Sequence, residues 1–185
     1  LSQALEYYQY IIVVFGNHEH YHGDILTSEI IFRKKIISRF EEGRVVLLEN
    51  QIWSHPVSDI KIAGCTLWSF IPPDFESLIK TTINDYSCIR DLTVDRSVEC
   101  FKKSEKWLTR IASDNIYPDI ILTHHVPLLN AGCSAIEHKN QPFSHAFESD
   151  LKYLVTCFPL WCHGHTHHVA VIKVEDSTVI TNAFG

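Results

Sequence analysis

Three apolar, β-rich runs in this chain each end in a cluster of histidines. No other feature constrains the fold as tightly. The runs are IIVVF at 11–15, DIILT at 119–123 and PLWC at 159–162. The chain has twelve histidines, and nine of them follow these runs: His18, His20 and His22; His124 and His125; His163, His165, His167 and His168. In open α/β sheets ligands bind beyond the carboxyl ends of the strands. If the three runs are parallel neighbours, the clusters meet at one edge of one sheet. A metal centre needs that convergence, because its ligands are gathered from distant parts of the chain.

The rest of the pattern supports a mixed α/β layered fold. The run at 8–15 reads as a buried strand ended by Gly16-Asn17. Residues 25–41 place apolar side chains at helical spacing and close at Gly43, and 94–113 repeats that amphipathic pattern. Both stripes are expected to face a core. Residues 44–50 and 51–68 read as strands with a turn at Ser58-Asp59. Residues 70–95 read as a loop with short helical pieces that could cover a site. A strand at 117–125, a helix at 145–156, a short strand into the last histidine cluster and a hairpin around residues 175–177 complete the pattern. Trp53, Trp68, Trp107 and Trp161 are expected in the core.

At 185 residues the chain suits one domain, residues 1–185, with a sizeable core. Its 45% apolar and 21% charged content is that of an ordinary globular protein. A net charge of −6 does not suggest a nucleic-acid or membrane-surface binder, although a nucleic acid remains admissible as a substrate. No apolar run is long enough to span a bilayer and no signal peptide is visible; the cysteine usage sets the expectation of a cytoplasmic location. The six cysteines form no C-x-x-C pair and read as reduced, mostly buried thiols. The chain begins with Leu and contains no Met, which suggests a piece of a longer protein.

The donor types indicate the chemistry. Imidazole suits Zn, Fe, Mn or Ni, and an Asn carbonyl favours a harder ion. His163 and His165 stand two apart, so in an extended segment both rings point to one side.

The ordered set GNHE (16–19), THH (123–125) and HGHTH (163–167) resembles the calcineurin-like metallophosphoesterases. The wider run GNHEHY, GCTLWS, NDY, THHVP and HGHTHH extends the resemblance over nearly the whole chain. It implies a four-layer αββα sandwich and two divalent metal ions (Mn, Fe or Zn) that activate water against a phosphate mono- or diester. It also implies Asn17, His124 and His163 as ligands of one ion, His165 as a ligand of the other, and His18 as a catalytic residue near the phosphate. His124 is preferred to His125 because it directly follows the strand. His20, His22, His167 and His168 read as packed or supporting residues; His55, His138 and His145 read as surface positions.

The family pattern also has an upstream D-x-H block and a GD block, yet residues 1–15 contain no Asp and no His. The chain is therefore expected to lack the first strand-helix units of the domain, to bind metal weakly alone and to have little activity. A metal-free scaffold with this fold is the alternative. The HGHTHH run also resembles the H-x-H-x-D-H motif of metallo-β-lactamase-like enzymes, but that reading leaves the other two clusters unexplained.

Overall fold

The computed structural model describes residues 1–135 and 139–182. It contains two sheets with helices outside them. The small sheet pairs β1 (Ile11–Val13) in parallel with β2 (Val45–Leu47). The large sheet contains β3 (Gln51–Ser54), β4 (Lys61–Cys65), β5 (Ile120–Thr123), β6 (Leu160–His163), β7 (Val169–Val174) and β8 (Ser177–Asn182). Its strand order is β3-β4-β5-β6-β8-β7. The β4-β5-β6-β8 centre is parallel, and β3 and β7 are antiparallel edges.

Strand alternation decides what each face meets. One face presents Ala63, Cys65, Ile121, Trp161 and Val179 to the long helix α4 (Val94–Ser113) and the short α5 (Lys152–Val155). Phe101, Leu108 and Ile111 of α4, spaced for one side of a helix, close this core. Thr93 starts α4 by accepting the Arg96 N–H at 3.2 Å, a standard N-cap. On the other face, Gly64 lets the small sheet approach. A Cβ there would lie 2.9 Å from Leu48 Cβ and Val14 Cγ1. Helix α1 (Ile25–Lys35) lies outside the small sheet: Phe32 meets Phe15 edge-on at 5.1 Å, and Arg33 donates to the Leu47 carbonyl at 3.0 Å. The layers therefore run helix, sheet, sheet, helix.

Several expectations need correction. The helix expected at 25–41 stops at Lys35 and continues only as a 3-10 turn over Ile37–Arg39. No residue of α1 is buried, and Leu26, Ile30 and Ile31 are exposed. The apolar residues within Ile25–Lys35 are spread around the helix, so no single face gathers them against the small sheet. The helix expected at 145–156 is interrupted because Val126 and Glu148 form a parallel bridge, with Ser149 N–H donating to the Val126 carbonyl at 3.0 Å. Only α5 and a 3-10 turn over Pro142–Ala146 remain helical there. The expected helical pieces within 70–95 are α2 (Glu76–Thr82) and α3 (Asp85–Cys88). All six cysteines are free, but only Cys65 and Cys133 are buried, and Cys157 is exposed. Trp68 and Trp161 are core residues, while Trp53 and Trp107 are half-buried. His138 lies outside the described residues. No described helix is long and apolar enough to cross a membrane.

Candidate metal centre

The first histidine cluster does not come from the same sheet as the other two. β5 and β6 are parallel neighbours in the large sheet, so His124 and the 163–167 segment meet at its carboxyl edge. Asn17 and His18 arrive from β1 of the small sheet. Convergence thus occurs across two packed sheets, where a single sheet edge was expected. Gly16 makes the crossing possible, since a Cβ there would fall 2.4–2.8 Å from three atoms of the His124 ring.

At the crossing, His124 Nε2 lies 2.9 Å from Asn17 Oδ1 and 2.9 Å from His165 Nδ1. One ring nitrogen cannot donate a proton well to both, so this trio holds more lone pairs than protons. Two ligands bonded at about 2.1 Å on adjacent corners of an octahedral ion stand about 3 Å apart. The Asn17–His124 and His124–His165 separations match that spacing, and oxygen and imidazole nitrogen are donor types that divalent cations accept. His163 Nε2 and His165 Nε2 are also buried without a hydrogen-bond partner among the described residues. No carboxylate joins the trio, and no three His, Cys, Asp or Glu side chains among the described residues are grouped tightly enough to enclose an ion.

The backbone holds these rings deliberately. Gly164 N–H donates to the His124 carbonyl at 3.1 Å, and Thr166 Oγ1 donates to the Cys133 carbonyl at 2.8 Å. His165 and His167 have φ of 69° and 47°, a left-handed conformation costing roughly 1–3 kcal/mol each for such residues. His163 donates from Nδ1 to the Gly164 carbonyl at 2.9 Å.

Burial keeps the imidazoles neutral. It lowers His124 to about 2, helped by repulsion from His125, His18, His163 and His167. Burial and neighbouring histidines hold His165 well below its ordinary value, and burial lowers His163. A neutral imidazole is the form that binds a cation.

The trio forms part of a cavity of about 370 Å³. Its walls include Asn17, His18, Glu19, Tyr21, Asp85, His124, Phe147, His165 and His167. His18 is exposed there, with its ring 4.5 Å from that of Tyr21. His163 is buried and is not part of the wall. His167, expected to be a packed or supporting residue, also lines the cavity. His125 is fully buried, between Trp68 (5.3 Å) and His165 (4.4 Å). His20 is buried against Phe15 and Trp68, and His22 is exposed.

Comparisons agree with this architecture. Residues 1–169 match the family model described as calcineurin-like phosphoesterase. Protein L509 of Acanthamoeba polyphaga mimivirus is 29% identical over 194 residues, spanning 96% of this chain and 69% of that protein. The crystal structure of phosphopantetheinyl hydrolase from Mycobacterium tuberculosis superposes with a TM-score of 0.67 at 15% identity, covering 98% of this chain and 72% of that one, a likeness of fold. The chain belongs to the calcineurin-like phosphoesterases.

Proposed function

We propose that this chain carries the catalytic centre of a metal-dependent phosphoesterase acting on a phosphate mono- or diester. The observation that carries the reading is the approach of His124 Nε2 to both Asn17 Oδ1 and His165 Nδ1, each at 2.9 Å, beside an open cavity. Calcineurin-like phosphoesterases generally use divalent metals. Asn17, His124 and His165 would hold the cation. His163, with its partnerless Nε2, and His167, on the cavity wall, are the further proposed donors. Divalent ions there would supply Lewis-acid charge that polarises the ester phosphorus and acidifies water.

The chain's own residues do the rest. The cavity admits the ester, and Phe147 and Ile83 provide apolar wall beside it. His18 stands exposed on that wall, placed either to stabilise the charge that develops on the phosphate or to donate to the departing ester oxygen. The proposed donors are all neutral, so they cannot offset two divalent charges; weak binding and low turnover of this chain alone are part of the proposal.

The test is hydrolysis of an aryl phosphate monoester and diester with saturating Mn²⁺ or Zn²⁺, with metal content measured in parallel. Metal-dependent turnover is expected. His18→Ala should lower kcat by about 10²–10⁴-fold at unchanged metal content. Equal loss of metal in His18→Ala would refute its assigned role. No metal binding at any concentration would favour the scaffold reading.

A further inference from the structure

The segment 84–86 (NDY) supplies nothing to the proposed donor set, yet it places one carboxylate against it. Asp85 is 5% exposed. Its Oδ1 accepts two hydrogen bonds, from Asn17 Nδ2 at 2.7 Å and from the Tyr21 hydroxyl at 2.7 Å. The segment is fastened to the loop after Asn17. His22 N–H donates to the Cys88 carbonyl and Arg90 N–H to the Gly23 carbonyl, both at 2.8 Å, and Arg90 pairs with Asp24 at 2.9 Å.

An asparagine carboxamide has an oxygen and an NH₂ of nearly equal size, so packing does not choose between its two orientations. A carboxylate does choose, because it only accepts. With the NH₂ on Asp85, Oδ1 faces His124 Nε2. The flipped carboxamide would set two acceptor oxygens 2.7 Å apart and would turn N–H groups, with no lone pair, towards the cation position. The second bond fixes the Tyr21 hydroxyl, and the Tyr21 ring lies against His18 at 4.5 Å.

We infer that Asp85 is the positioning residue of this centre: it orients the Asn17 oxygen as a cation donor and, through Tyr21, supports the His18 ring. The inference rests on the metal-centre reading above. Supporting groups of this kind typically account for 10–100-fold in metal affinity. Asp85 also places a negative charge one hydrogen bond behind a neutral donor, where it strengthens the carbonyl dipole.

Co²⁺ titration, followed by the visible spectrum of the chelator-stripped protein, tests this without an activity readout. Asp85→Ala should weaken Co²⁺ by 10–100-fold. Asp85→Asn, which keeps an acceptor oxygen but can also pair with the flipped carboxamide, should recover only part of that loss. In an Asn17→Ala background, Asp85→Ala should cost nothing further, because the donor it orients is gone. Unchanged affinity in Asp85→Ala, or losses that multiply in the double variant, would overturn the inference while leaving the metal centre standing. Unchanged Co²⁺ binding in Asn17→Ala would overturn both. If Asp85→Ala does not fold, the wild type decides by NMR. The Asn17 carboxamide protons, assigned by their loss in Asn17→Ser, should be well separated and slow to exchange; a fast-exchanging pair refutes the restraint.

Discussion

Acid should destabilise the metal-free protein through its buried imidazoles. Burial lowers His125 to about 4 and His124 to about 2. In the unfolded chain each titrates near 6.5. Below about pH 6.5 the unfolded state therefore binds protons that the folded state excludes. Stability is fully present above that value and is lost as the pH falls towards the folded values. At pH 5 the loss is about 1.5 pH units times 1.36 kcal/mol, or about 2 kcal/mol for each histidine and about 4 kcal/mol for the pair. His163 and His165 shift in the same direction and add to it. Total stabilities of domains are about 5–15 kcal/mol, so this is a large share. The assay is urea unfolding with chelator present, at steps from pH 7.5 to 5. The midpoint should fall steadily below about pH 6.5 at constant m-value, and His125→Asn should reduce the slope by about one proton. A midpoint that stays flat down to pH 5 would refute the neutral, buried state of these rings.

Other outcomes follow from the packing. Gly16→Ala should displace the His124 ring, since its Cβ would come within 2.8 Å of three ring atoms, and should weaken Co²⁺ binding at least tenfold; wild-type affinity would show that the two loops can separate freely. Leu108→Ala removes a fully buried side chain from α4 and should cost about 3 kcal/mol in chemical denaturation. Thr93→Ala removes the N-cap of α4 and should cost about 1 kcal/mol, read as a lower Tm.

The sequence marked which residues end the strands better than it marked the elements around them. Of the five residues singled out because each follows a short apolar strand, Asn17, His18, His124 and His165 lie on one cavity, and His163 lies buried outside its wall. The amphipathic helix α4 was legible because its 3.6-residue period continues over Val94–Ser113. The apolar residues of α1 do not gather on one face as those of α4 do, so Leu26, Ile30 and Ile31 stay exposed while Ile25 packs against the core. The break at 147–151 was not legible, because the bridge between Val126 and Glu148 joins segments that local propensity treats separately.

Local patterns in the chain therefore determined which side chains end the strands, and with them the family. Whether those donors meet depended on contacts between residues far apart in sequence. The tertiary structure brought Asn17 to His124 across two sheets, put His167 on the cavity wall and His163 behind it, and set Asp85 on the Asn17 amide 68 positions away. A carboxylate at the start of a four-residue helix carries no periodic signal, and its role arises only when folding places an amide within hydrogen-bond reach.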